Sequence, residues 1–388
     1  MNFDLFKPLC PQCYTDQAKA YTYYSVKGGE TCLISQCQAC GHYFSETSGT
    51  ALAGLRTPLS RIQLILHSLH EGLGINTVCR TFQVSQNSIK NWERRLTGLK
   101  MVLLVYSLCH RFLQQVLEGD ELYTKVHHNR PPTESEGGSI VIMERAIRFL
   151  WTLECGERDQ ALFTQTIGDI CQVIEQTEDL TLLTDGERRY GNFLFAACCR
   201  ALYTGEVGRP HLTLLEGVKV RLKNKGLTSE STRSKYEAPH PEHPQTEQNL
   251  PDEAIHANHV EAFNSALRRK LACFRRKANT YAKTNTARQC RLDVHWVLHN
   301  FVWTHFTTKK VPAVAMGILA VGLTWSQLFA IQAFPFNGPS ASFPAPNPAP
   351  RGGELFPTSF FVGVGHFEVY RPIDAHSSTL FILSKVHK

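Results

Sequence analysis

The stretch "QQVLEGDELYTKV", residues 114–126, opens the part of the chain whose fold has to be decided. Two further strand-like runs follow it, "GSIVIMERA" (138–146) and "FLWTLECGE" (149–157). Next come "DQALFTQTIGDICQVIEQT" (159–177), which reads as a helix, and "LTLLTDGERRYG" (180–191), a short apolar strand ending in a DG turn. Three strands, a helix and a further strand predict an α/β domain. "NFLFAACCRALYT" (192–204) reads as helix-like, and residues 219–251 begin as a strand, "KVRLKNK", before passing into a polar loop.

Two helices close this domain. In "NHVEAFNSALRRKLACFRRK" (258–277), Phe263, Ala266, Leu267, Leu271 and Phe274 share one stripe at 100° per residue. Glu261, Asn264, Ser265, Arg268 and Arg275 fall opposite. One carboxylate, Glu261, thus heads a segment carrying Arg268, Arg269, Lys270, Arg275, Arg276 and Lys277. Taken alone, the segment fits either a solvated basic face with an ordinary Glu–Arg pair or a face built around a ligand. "RLDVHWVLHNFVWTHF" (291–306) is the second closing helix.

Upstream, "CPQC" and "CQAC" place Cys10, Cys13, Cys37 and Cys40 as two pairs. Two such pairs supply four thiolates tetrahedrally to one zinc, each pair on a tight knuckle that Pro11 and Gly41 help to turn. The β-rich "AYTYYSVKGGETCLISQ" (20–36), with Gly28-Gly29 as a hairpin turn, predicts a zinc ribbon over residues 1–50, with Cys32 packed rather than ligating. Residues 51–100 hold a helix-turn-helix within "SRIQLILHSLHEGLGINTVCRTFQVSQNSIKNWERRL" (60–96). Ile89, Trp92 and Leu96 lie on the inner face of its third helix. Gln86, Asn87, Lys90, Asn91, Arg94 and Arg95 are presented outward, the residue types that read base edges and hold phosphates.

Composition favours a polyanion partner over a diffuse solubility role. The 388 residues carry a formal charge of +7, with the excess clustered at 219–225 and 268–277. Thirteen cysteines, an odd number, and an N-terminus without a signal-peptide pattern lead us to expect a reducing, cytoplasmic compartment. Residues 311–334 are apolar and long enough to span a membrane but are interrupted by Thr324, Ser326, Gln327 and Gln332, so no membrane partner is expected. Thr324 reads as the N-cap of a short helix. Residues 334–388 are Pro-rich and then apolar without a clear period, and are expected to form a poorly ordered tail.

Asp120 falls on the first strand of the α/β domain, Asp185 at the end of the later strand, and Glu261 on the basic helix. Ligands gather at the carboxyl ends of central strands, so a helix packed there brings three acids together. Their mutual repulsion is resolved by divalent cations of the kind that cleave phosphodiesters. Glu118, Glu121 and Glu187 are the near competitors, and Glu121 points away from the face of Asp120.

At these residues the chain resembles a DDE transposase of the insertion sequence one family, through "GDELYTKV", "LLTDGERRYGN" and "NHVEAFNSALRRKLACFRRK" with the ribbon and helix-turn-helix ahead of them. The resemblance covers about residues 8–333. It implies a multidomain α+β chain whose residues 101–333 form a ribonuclease H-like catalytic domain. Asp120, Asp185 and Glu261 become its metal-binding triad, with Arg268 in the basic position that follows the Glu. It further implies Mg2+ or Mn2+, two per active site; double-stranded DNA, both element ends and target; and a homo-oligomer assembled on that DNA in the nucleoid. Members of the family usually stop near the equivalent of "SQLFAIQ" (326–332), so residues 334–388 depart from the pattern and are consistent with read-through into neighbouring sequence. The competing class is a zinc-ribbon and helix-turn-helix regulator without catalysis, which needs none of the three acids.

Overall fold

The computed structural model describes residues 8–25, 29, 31–126, 137–157, 160–184, 190, 199–202, 211–214, 220–224, 256–275, 279–332, 334–335, 356–362, 365–371 and 381–385. The chain divides into two compact units, Met1–Leu69 with Ile75–Tyr106 and Leu323–Lys388, and His70–Gly74 with Ser107–Gly322.

In the first unit β1 (Ala18–Ser25), β2 (Thr31–Cys37) and β3 (Tyr43–Ser45) form an antiparallel sheet in that order. The β1–β2 hairpin closes at the pair Ser25↔Thr31, with Gly29 at φ +87, a left-handed conformation that glycine adopts without a Cβ penalty. Cys32 is buried within β2. Three helices follow: α1 (Leu59–His70), α2 (Ile75–Phe82) and α3 (Gln86–Leu108). The α2–α3 turn passes through Gln83 at φ +50, and the Ser85 hydroxyl accepts the Ser88 N–H (3.0 Å) to cap α3. Ile62, Ile65, Leu66, Leu69, Val78, Ile89, Trp92 and Leu96 are all buried, as the apolar spacing predicts. The third helix runs twelve residues past Leu96, because buried Leu99, Val102, Leu103 and Leu108 continue the same spacing with no proline to stop it.

Residues 323–332 belong to this unit, although the sequence places them in the catalytic segment. Gln332 accounts for the difference. Its side chain accepts the Leu9 N–H (2.7 Å) and donates to the Ser48 carbonyl (2.7 Å), and Thr50↔Gln332 form a β-bridge. The short helix Trp325–Ala330 carries the predicted Thr324 cap, completed by Gln327 as a capping box. No helix of the described residues is long and apolar enough to cross a membrane. Within the expected tail the structure describes strands Phe356–Val362, Gly365–Arg371 and Phe381–Lys385 in antiparallel pairing.

The second unit is built on β4 (Phe112–Thr124), β5 (Gly137–Glu144), β6 (Leu150–Gly156), α4 (Gln160–Glu175), β7 (Thr177–Thr184), β8 (Cys199–Leu202), β9 (His211–Leu214) and β10 (Val220–Asn224). The strands predicted by sequence at 114–126, 138–146, 149–157, 180–184 and 219–225 are all present. Residues 199–202, read as helical, are instead a strand paired antiparallel with 211–214. The main sheet has the order β10-β7-β4-β5-β6. Here β4, β5 and β6 form an antiparallel meander, while β7 lies parallel to β4 and β10 parallel to β7. β5 is buried along its whole length.

Two closing helices cover this sheet: α5 (Asn258–Lys270), packed on β4 and β5, and α6 (Asn285–Val297), packed on β6 and continuing through a π-turn to Val302. α6 seals the edge strand β6. Asn300 in the π-turn both donates to the Leu150 carbonyl (2.8 Å) and accepts its N–H (2.9 Å), and Gln289 accepts from Cys155 N–H (2.7 Å) and donates to the Leu153 carbonyl (3.1 Å). Side-chain amides thus replace the missing next strand. Beneath them Phe149 packs on Trp151 (4.8 Å between ring centroids), Phe301 (6.0 Å) and Trp296 (6.1 Å).

Candidate metal centre and active site

The four paired cysteines converge. The thiol sulfurs of Cys10, Cys13, Cys37 and Cys40 all lie within 4.8 Å of one another. Cys10 Sγ is 3.6 Å from Cys40 Sγ, and Cys13 Sγ is 3.5 Å from Cys37 Sγ. A tetrahedron with metal–sulfur bonds of about 2.3 Å has edges of about 3.8 Å, so the cluster is positioned to bind one metal and is compatible with structural zinc. The two knuckles are built alike. The carbonyls of Cys10 and Cys37 accept the N–H of Tyr14 and Gly41 (2.9 Å each), and both of these donor residues are left-handed, at φ +57 and +76.

The Thr15 hydroxyl reaches both Cys13 Sγ (3.2 Å) and Cys37 Sγ (3.4 Å). That contact is the main reason the Cys13 thiol is pulled down and the Cys37 thiol falls to about 6. At Cys40 the His42 backbone N–H also pulls down, but burial and three neighbouring thiols prevail and push it up to about 12. Four adjacent thiols resist joint ionisation, and a bound cation removes that resistance.

In the second unit the geometry centres on β4. Glu118 and Asp120 are two residues apart on the strand and share a face. Glu118 is fully buried. Its carboxylate accepts the backbone N–H groups of His259 (2.9 Å) and Val260 (3.0 Å), two of the unsatisfied donors at the start of α5. Its other oxygen is 3.1 Å from Arg145 Nε. Burial pushes its pKa up, while the Val260 N–H, Arg145 and the His259 N–H pull it back. A turn further along α5, Asn264 Nδ2 donates to Asp120 Oδ2 (2.6 Å), and Asp120 Oδ1 also accepts the Glu121 N–H (2.9 Å).

Glu118 and Asp120 therefore dock α5 along β4. Glu261 lies between the two contact points, one turn before Asn264, and is exposed, with no ion pair among the described residues. The ordinary Glu261–Arg268 pair considered from sequence is not formed. Arg268 is half-buried and Arg269 exposed, both on the last turn of the helix.

Other expected positions differ. Asn264, assigned to the solvent face, is 2% exposed because its amide is the contact to Asp120. The helix stops at Lys270 rather than running to 277. Leu271 is extended, and a 3-10 turn Ala272–Phe274 follows, which lets Leu271, Ala272 and Phe274 all be buried. Arg275 therefore leaves the face of Glu261, and its guanidinium donates to the Gly72 carbonyl (2.7 Å). Asp185 and Arg276 lie outside the described residues. On α3, Gln86, Asn87, Lys90, Arg94 and Arg95 are exposed and Asn91 is half-buried. Gln86 donates to Asn76, Arg94 to Asn91 (3.0 Å) and Arg95 to the Ala53 carbonyl (2.7 Å).

Sequence reading weighed Glu118 only as a rival to Asp120 and did not foresee Arg145 or the role of Asn264. The two-residue spacing of Glu118 and Asp120 was a usable signal, since it puts both on one side of a strand. Arg145, in the β5–β6 turn, carried none. No family model matches the chain, and no curated protein matches it.

Proposed function

We propose that the chain is a DDE transposase of the insertion sequence one type. In this reading it binds the ends of a mobile DNA element through a zinc ribbon and helix-turn-helix, and cleaves and joins DNA strands with a ribonuclease H-like domain. The observation that carries the reading is the docking of α5 on β4. Glu118 holds the first turn of α5 and Asp120 holds Asn264, so the turn bearing Glu261 is fixed beside the strand bearing Asp120. The sheet order, an antiparallel meander extended by two parallel strands with β4 at its centre, supports the ribonuclease H-like assignment.

Asp120, Asp185 and Glu261 would hold Mg2+ or Mn2+. Asp120 is half-buried and Glu261 exposed, and both are oxygen donors suited to a hard cation. Held there, such ions would supply the Lewis acidity for activating water or a 3′-hydroxyl and for stabilising the departing oxygen. Arg268, Arg269 and the later cations would hold the phosphate backbone, and the exposed amides and cations of α3 would select the element ends.

The test is metal-dependent nicking of a plasmid carrying this gene with its flanking DNA. Glu261→Gln is expected to lower nicking by orders of magnitude while DNA binding persists. Arg268→Ala is expected to weaken binding and reduce its salt dependence. Nicking by Glu261→Gln at the wild-type rate would falsify the triad, and a wild-type chain that binds DNA without nicking it would favour the regulator.

A further inference from the structure

The two cysteine knuckles match in their backbone and differ in one side chain. The Thr15 carbonyl accepts the Cys10 N–H and the His42 carbonyl accepts the Cys37 N–H, at 2.9 Å each, so Thr15 and His42 hold equivalent places two residues after the second cysteine of their knuckles. His42 is exposed. The Thr15 hydroxyl is turned onto the sulfurs instead, 3.2 Å from Cys13 Sγ and 3.4 Å from Cys37 Sγ. Cys13 belongs to the first knuckle and Cys37 to the second, and their sulfurs are 3.5 Å apart, so a single hydroxyl spans both knuckles. Cys10 Sγ and Cys40 Sγ, 3.6 Å apart, have each other but no such hydroxyl among the described residues.

With protonated thiols these contacts have no fixed direction, since oxygen or sulfur can donate. A bound metal fixes it. A ligating cysteine has lost its proton and can only accept, so the hydroxyl, with one hydrogen, becomes the donor to both sulfurs. Four thiolates around one divalent cation leave an excess of negative charge in a partly buried place, and a donor aimed at two of them draws part of it off. Groups that hydrogen-bond to metal ligands in this way commonly change metal affinity about 10- to 100-fold.

We propose that Thr15 is a tuning and positioning residue of the metal centre: its hydroxyl donates to the Cys13 and Cys37 thiolates, ties the two knuckles together and withdraws charge from the sulfurs, so that the metal is held more tightly than by the four cysteines alone. The proposal concerns the ribbon and is independent of any reaction on DNA.

The experiment uses the full chain loaded with Co2+ or Zn2+ at pH 7.5. Thr15→Val keeps the branched shape and removes the hydroxyl, Thr15→Ala removes it in a smaller side chain should valine disturb folding, and Thr15→Ser restores it. His42→Ala is the control at the equivalent place. Sulfur-to-cobalt charge-transfer absorption reports the charge on the thiolates, and competition with a chelator reports zinc affinity. A thiolate that loses a hydrogen bond gives up an electron more readily, so the absorption is expected to move to lower energy in Thr15→Val and Thr15→Ala, with zinc bound about 10-fold more weakly or worse. Thr15→Ser and His42→Ala are expected to keep the wild-type absorption, and Thr15→Ser the wild-type affinity. An absorption that stays in place in both variants without the hydroxyl overturns the proposal even if zinc binds less tightly, because the residue then only packs. Wild-type zinc affinity in those two variants, a Thr15→Ser centre that behaves like Thr15→Val, or a wild-type chain that shows no sulfur-to-cobalt absorption overturns it as well.

Discussion

Glu118 does what the bland reading of a strand carboxylate would not suggest. A buried charge is tolerated only with partners, and here two helix-start N–H groups and Arg145 supply them. Removing the carboxylate leaves those three groups facing a gap. Glu118→Ala is therefore expected to cost about 3–5 kcal/mol, the usual scale for breaking a buried ion pair. Glu118→Gln, which keeps one acceptor oxygen, is expected to cost about 1–3 kcal/mol. Urea unfolding measures both, and hydrogen exchange at the His259 and Val260 amides should accelerate in each. If Glu118→Ala unfolds with the wild-type midpoint, the anchoring role is wrong. Asp120 was legible in sequence because a two-residue alternation assigns it a face; Asn264 was not, because helical spacing places it among polar neighbours and says nothing of which strand the helix crosses.

Helix α5 and the cysteine knuckles show the limit of periodicity in opposite ways. The stripe through Phe263, Leu267, Leu271 and Phe274 predicts one helix, yet the chain turns at Leu271. All four side chains are buried, so the pattern records which residues are inside and is silent on the backbone that brings them there. The convergence of Cys10, Cys13, Cys37 and Cys40 and the turn at Gly41 were readable because two Cys-x-x-Cys pairs at that spacing are a metal-ligand pattern; that the residue after each second cysteine turns left-handed, Tyr14 in the first knuckle, was not. Gly41 does this freely, with open space where a Cβ would project. Gly41→Ala therefore meets no clash and is charged only the conformational cost, about 1–2 kcal/mol, or roughly 5- to 30-fold in metal affinity if folding and binding are linked. Tyr14 already bears that strain at φ +57 in the other knuckle, so Tyr14→Gly should not weaken the metal comparably. Competition with a chromogenic chelator ranks the three proteins, and an unchanged affinity for Gly41→Ala would sink the account.

Two units with different chemistry should fail under different conditions, and each condition has a direction fixed by its groups. Chelation at pH 7.5 removes any metal from Cys10, Cys13, Cys37 and Cys40, so protection against hydrogen exchange should fall over β1–β3 and persist over β4–β7. Acid addresses the second unit. His299 is pushed down to about 4 by burial, and His295, 1% exposed, is pushed well below its usual value for the same reason. A histidine depressed in the folded state binds its proton more readily when unfolded. Its contribution is present above about pH 6.5 and is lost as pH falls toward 4, by up to about 1.4 kcal/mol per pH unit for each group. Glu118, Glu144 and Glu175, all raised by burial, act in the opposite direction, so the wild-type slope alone is ambiguous. His299→Gln separates the two. Glutamine can still donate to the Arg148 carbonyl but takes up no proton, and the carboxylates are common to both proteins. The difference in stability between wild type and His299→Gln should therefore shrink, or reverse in favour of the variant, as pH is lowered from 7 to 5. Urea unfolding at fixed pH steps, read at the second unit, measures that difference. A gap that stays constant across the range would mean that His299 is protonated alike in the folded and unfolded chain, and its burial would have no electrostatic consequence.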